Sequence, residues 1–410
     1  MPVIRFLIIL VAVLITALIL SNISLKRTSG DFDVYYDSAR HYLNKEPVYV
    51  PHGGINEFKY SPLFALCYAP LTLMPKISAL YLWSIFKLVC FFGIFLVLYK
   101  LKQISFLNFK DLLILIFLFA VIGRYIIADF KLGQANVLLC FLMSMTMYFE
   151  INKKYLPAAA LLALSLMIKF IPLLFVLYYL LRRRFKLLAY TALMAAVFLI
   201  VPSFYTGLSL NLKYLHEWFL LLKSTPPVIL YSVKNYSLLS YFSWMLIARH
   251  EIVNAFDYIF IKKGLTSAVY LAWVISSFVF FVSFFYDTFF VKDKDTRVVY
   301  LDYSCLFVCG LLFNPLAYLN ALTFLIIPYF FVLRYLFYGL MNRRAMITAG
   351  GFVFLSFLLT ILDNRLFFKD TRQFYFMIEL KPLMWAIILV YASLWTAKFS
   401  IRSKSPSSDM

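Results

Sequence analysis

The chain has 410 residues, of which 64% are hydrophobic and only 14% charged, and its formal net charge is +20. A soluble domain is nearer half apolar and a quarter charged, so this composition excludes an ordinary soluble protein. The basic excess sits in short loops between apolar runs, which is the positive-inside pattern of a membrane protein and argues against a nucleic-acid partner.

Apolar runs of about twenty residues recur from end to end, the length that crosses a hydrocarbon core of about 30 Å. The first follows Arg5 and reaches Ile23; no small-residue cleavage site follows it, so it reads as a signal anchor with a cytoplasmic N-terminus. A polar segment, residues 26–60, comes next. Then YSPLFALCYAPLTLMP, broken by Pro62, Pro70 and Pro75, is too short to span and reads as an interfacial or membrane-dipping helix.

Spans are expected at 78–99, 111–128, 133–150, 155–168, 170–181 and 186–206. The pair around Ile171-Pro172 has basic residues on both flanks, Lys153-Lys154 and Arg182-Arg183-Arg184, so the chain is expected to dip in and return. A second long polar segment, 207–263, holds a short apolar piece at Leu238 to Ile247. The last spans fall at 264–290, 299–313, 319–338, 345–362 and 381–397, with a third polar segment at 363–380. These readings predict an all-α, polytopic bundle, one transmembrane domain of about twelve spans with both termini cytoplasmic. The three long segments share the face opposite the basic turns, which points to chemistry at the outer face.

Few residues suggest metal or thiol chemistry. Cys67, Cys90, Cys140, Cys305 and Cys309 mostly lie in apolar runs and read as packed thiols, and His41, His52, His216 and His250 are scattered. In the first outer loop, DFDVYYDSARHYL places apolar and aromatic residues at helical spacing, which predicts an amphipathic helix on the membrane surface. Asp31 at its start is expected to cap the helix and to sit favourably on its dipole. Asp31-Phe32-Asp33 also spells a D-x-D pattern that can hold a divalent metal. This is the weaker alternative, because helical geometry turns Asp33 about 200° away from Asp31.

The segments DFDVYYDSARHYLNKEPVY and FKYSPLFALCYAPLTLMP resemble the opening of glycosyltransferase family 87, through Asp31, Val34, Tyr35, Ala39, Leu43, Tyr49, Tyr60, Pro62, Phe64, Ala65, Pro70 and Pro75. The likeness continues in Gly133-Gln134-Ala135-Asn136, in Lys169-Phe170-Ile171-Pro172, in Asn235-Tyr236-Ser237-Leu238 and in Asn314-Pro315-Leu316-Ala317-Tyr318. Lys45 stands where members usually have Gly, so the turn after the first helix is expected to be built differently. Tyr318 and Asn320 replace a Trp and, in some members, a His.

The resemblance implies a type C membrane fold and a polyprenyl-phosphate sugar donor, typically carrying mannose. It also implies a lipid or glycan acceptor and inversion at the anomeric carbon, with no cofactor. Such a reaction needs a base for the acceptor proton and positive charge for the departing phosphate. Asp31 is the expected base. Lys169, a lone charge in an apolar run, is the first candidate for the phosphate, against the plainer reading of snorkelling; Lys59 and Arg124 are further candidates. Gln134, Asn136, Tyr35, Tyr60, Asn235 and Asn314 are expected to bind sugar or acceptor, against a plainer reading as interhelical polar contacts. A secondary transporter or lipid flippase is the rival function. It would carry internal pseudo-symmetry with broken helices in both halves, and the sequence offers one such pair.

Overall fold

The computed structural model describes residues 30–50, 57–105, 108–222, 234–246, 263–290, 295–363 and 380–403. The N-terminal apolar run, most of the third outer segment and parts of the second lie outside these residues. The described residues are helical throughout, with no strand among them. They form two compact units: residues up to 104 with 125–179 and 184–225, and residues 105–124, 180–183 and 226 onward.

In the first unit, α1 (Asp31–Leu43) is the predicted amphipathic helix, and it buries Phe32, Val34, Tyr35, Tyr36, Ala39 and Tyr42. α2 (Pro62–Tyr68) begins with Ser61 as its cap and Pro62 in its first turn, and runs on as 3-10 turns over Ala69–Leu73. α3 (Lys76–Lys100) and α4 (Phe109–Leu132) are long apolar helices, α4 belonging to this unit from Tyr125 onward. α5 (Asn136–Ile151) and α6 (Tyr155–Ile168) form an antiparallel pair, and the chain leaves helix at Lys169 before α7 (Leu173–Leu181). That break is the expected one. α8 (Phe185–Ile200) and the short α9 (Ser203–Thr206) lead into α10 (Leu208–Leu222), which packs Asn211, Tyr214 and Trp218 inward.

The unit has two chemically distinct ends. Lys102, Lys153, Lys154 and Arg184 follow or precede helix ends at one of them, where Arg184 pairs with Glu150 at 3.1 Å. At the other end α1 meets the start of α8's exit loop, with the Tyr42 hydroxyl donating to the Pro202 carbonyl at 3.0 Å and that of Tyr205 to Leu43 at 2.8 Å. Ser61 N–H also bonds Met167 there. Lys45 adopts φ 57°, the left-handed conformation that glycine favours, and closes the α1 C-terminus through bonds to Tyr42 and His41 carbonyls from residues 45 and 46. The turn is therefore the ordinary left-handed one, which corrects the expectation of a different construction.

The second unit contains α11 (Leu238–Leu246), α12 (Lys263–Phe290), α13 (Thr296–Phe313), a 3-10 segment Leu319–Leu325 running into α14 (Ile326–Phe337), α15 (Arg343–Leu362) and α16 (Pro382–Arg402). α13 and α14 are almost wholly buried. α12 exposes Leu271, Val274, Ile275, Phe278, Val279 and Val282, a face suited to lipid. Asp302, buried in α13, is paired by Arg182 at 2.6 Å and by Lys398.

Seven described helices are long and apolar enough to cross a membrane: Lys76–Lys100, Phe109–Leu132, Phe185–Thr206, Thr296–Phe313, Leu319–Phe337, Arg343–Leu362 and Pro382–Arg402. The larger count expected from the sequence also takes in the N-terminal run, outside the described residues, and shorter helices such as α5 and α6.

Candidate active site

The site begins with a turn. α4 ends at Leu132, and Gly133 (φ 68°) reverses the chain with Gln134 N–H bonded to the Asp129 carbonyl at 3.0 Å, so that Asn136 can start α5. A side chain at Gly133 would place its Cβ 2.5 Å from Cβ of Phe32, and one at Gly30 would stand 3.0 Å from the Leu132 carbonyl oxygen. The two glycines let the first turn of α1 rest directly on the α4–α5 turn. Trp83 Nε1 holds that turn from beneath by donating to the Gly133 carbonyl at 2.8 Å.

Asp31 is the first residue of α1. Gly30 occupies the capping position and no side chain caps the helix. This corrects the capping expectation, while the dipole argument still applies to a carboxylate in the first turn. Burial raises the Asp31 carboxyl above its usual range, and the hydrogen bond from Gln134 and the positive charge of Lys169 oppose that rise. Asp33 points elsewhere: it pairs with Lys76 at 3.0 Å, with Asp37 at 3.7 Å from the same ammonium. Asp31 and Asp33 do not converge as a metal-binding pair would.

Lys169 follows α6 in extended conformation, and its ammonium donates to Asn136 Oδ1 at 2.5 Å and to Gln134 Oε1 at 3.3 Å. It turns inward to amides instead of away to an interface. The same Gln134 oxygen lies 3.2 Å from the Tyr35 hydroxyl and 3.3 Å from that of Tyr60, and the two hydroxyls bond one another, so one phenol donates to the amide oxygen and the other to its neighbour. With its oxygen engaged by Lys169 and the tyrosine pair, the Gln134 amide nitrogen serves the Asp31 carboxylate. The Asn136 amide nitrogen is buried with no hydrogen-bond partner. Tyr35 is packed edge-on by Tyr60, Phe64, Tyr68 and Trp83, which fixes the direction of its hydroxyl.

Lys87 and Asp129, which belong to no motif of the sequence, also lie here. Fully buried, they pair at 2.6 Å, and Lys87 also donates to the Asp129 carbonyl at 2.9 Å. The second Asp129 oxygen accepts the Asn136 N–H at 3.2 Å. For Lys87 a signal was present, a lone charge inside an apolar span, whereas Asp129 falls between two expected spans, near Lys131.

The remaining candidates make other contacts. Lys59 approaches Glu57 at 3.7 Å, and its carbonyl accepts from Trp218. Arg124, Asn235 and Asn314 belong to the second unit. Arg124 pairs with Asp363 at 2.9 Å and donates to the Thr360 carbonyl, and the Tyr236 hydroxyl donates to the same Asp363 oxygen. Asn235 clamps the loop after α13, donating to Pro315 and accepting from Ala317, and Asn314 bridges to Leu316 within that loop.

A carboxylate, an ammonium, two side-chain amides and two phenols thus gather at one end of the first helical unit. Residues 58–315 match glycosyltransferase family 87, more than half of the chain, and the protein belongs to that family. It is a membrane glycosyltransferase. The matched stretch includes Lys59, Tyr60, Arg124, Gln134, Asn136, Lys169, Asn235 and Asn314, and begins beyond Asp31 and Tyr35. No curated protein matches the chain.

Proposed function

We propose that the enzyme moves a hexose, mannose first among them, from a polyprenyl-phosphate sugar to a lipid or glycan acceptor at the outer face of the cell membrane, in one inverting displacement. Asp31 takes the acceptor proton as the new glycosidic bond forms and the sugar–phosphate bond breaks. Lys169 stabilises the charge that gathers on the departing phosphate. Gln134, Asn136, Tyr35 and Tyr60 orient hydroxyl groups. The observation that carries this reading is that Asp31 and Lys169 meet on the two ends of one Gln134 amide. Lys59, Arg124, Asn235 and Asn314 take supporting roles, with Arg124 already balanced by Asp363.

Family membership favours transfer over the rival transporter or flippase reading, and a displacement of this kind needs no metal or other cofactor. Purified protein incubated with a panel of polyprenyl-phosphate sugars tests the proposal. Consumption of one donor, dependent on an added acceptor extract, is the expected result. Turnover of a nucleotide sugar with none of the lipid donors would refute it.

A further inference from the structure

The Lys87–Asp129 pair is the feature of the first unit that the proposed chemistry leaves unused. A buried ion pair between two helices gains little over two apolar side chains, because both ions lose their water. A plain tether between α3 and α4 would not need charges. This pair, however, is wired into the site at two points, and Trp83 on the same helix adds a third hold on the turn. Asp129 receives the Gln134 N–H on its carbonyl and the Asn136 N–H on its carboxylate. Lys87 spans the Asp129 carboxylate and carbonyl, and Trp83, one turn before it on α3, holds Gly133. The residues so fixed are the ones on which Asp31 rests and to which it is bonded.

We propose that Lys87 and Asp129 form a positioning pair for Asp31: together they fix the Gly133–Asn136 turn against the first turn of α1, and their opposite charges set the electric field in which the Asp31 carboxylate takes and releases its proton. The inference rests on Asp31 being the base. The groups that face this carboxylate are Lys87 from α3, Asp129 from α4, Gln134 from the turn, Lys169 after α6, Tyr35 from α1 and Tyr60 before α2. Asp33 and Asp37 are occupied by Lys76 on another side of α1. Lys87 and Asp129 act on Asp31 with opposite sign, so removing either one alone exposes the other.

The test uses the full chain in detergent and two readouts. One is the pH midpoint of labelling at Asp31 by a hydrophobic carbodiimide, which reacts with protonated carboxyls, measured by mass spectrometry. The other is the acid limb of the rate with polyprenyl-phosphate mannose. Lys87→Gln removes a cation and keeps an amide donor for Asp129; the labelling midpoint should rise by at least about half a pH unit. Asp129→Asn removes an anion and should lower it by a similar amount. The double variant Lys87→Gln/Asp129→Asn should return close to wild type.

Single variants that fold and leave the midpoint unmoved, or move it in the same direction, would reduce the pair to a tether. If only one single variant folds, the sign of its shift decides. If neither folds, a double variant with a displaced midpoint refutes the proposal and one at the wild-type value supports it. An active Asp31→Asn enzyme beside opposite midpoint shifts would instead remove Asp31 as base and leave the field intact.

Discussion

At the scale of single residues, the proposed mechanism makes its sharpest demands on Asp31 and Lys169. Asp31→Asn keeps the side chain's size, and since no capping bond depends on it, thermal stability should barely change. The rate should fall by about 100-fold or more, because an amide cannot accept the acceptor proton. Asp33→Asn, which touches only the exposed Lys76, should keep most activity with or without chelator. The base works ionised, and burial holds the Asp31 carboxyl above the ordinary range. The acid limb of the pH–rate profile should accordingly lie above that range, with activity lost as pH falls through it. Asp31→Asn in the same assay should have no such limb. Lys169→Ala should cost roughly 2–4 kcal/mol of transition-state stabilisation, read from kcat/KM for the lipid donor, with expression unchanged. A wild-type kcat/KM in this variant would end the phosphate role.

At the scale of elements, two turns carry unequal burdens. Gly133 combines a left-handed backbone with direct contact against Phe32, so Gly133→Ala should displace α1 and abolish activity. Gly207 (φ 83°, ψ 156°) has nothing within 4 Å of a would-be Cβ, so Gly207→Ala should cost only backbone strain, on the order of 1–3 kcal/mol. Comparing the two by thermal unfolding and by rate separates strain from docking. Lys45, by contrast, bears the left-handed strain without being glycine. Lys45→Gly should raise stability by up to about 1 kcal/mol and leave the rate alone. A fall in melting temperature would mean that the cation's position over the Tyr205 ring, 5.7 Å from its centroid, matters more than the backbone.

For the whole molecule, the proposed orientation rests on the short basic turns of the sequence being cytoplasmic. Single cysteines at the exposed positions Lys45 and Lys234, on a background lacking the native cysteines, should react with an impermeant reagent in intact cells. Cysteines at Lys153, Arg183 and Arg343 should react only after permeabilisation. Labelling of position 45 confined to permeabilised cells would put the proposed base in the cytoplasm and overturn outer-face transfer. This experiment needs no knowledge of the sugar.

The helices were legible in the sequence because the bilayer permits so few alternatives: an apolar run of sufficient length must satisfy its own backbone, and it does so as a helix. The break at Lys169 and the amphipathic character of α1 were equally visible, through interruption of one pattern and periodicity of another. Part of the site was legible as well, because Gln134, Asn136 and Lys169 are polar residues with no business in lipid unless they have partners. Sequence could not say that these three share one hydrogen-bond network, that Asp33 turns to Lys76, or that Asn235 and Asn314 clamp a loop. Those outcomes depend on which helix ends meet. Lys87 and Asp129 mark the limit most clearly: they stand 42 residues apart in the chain with no shared motif, and only the tertiary fold, which sets Lys87 of α3 against the last turn of α4, makes them a pair.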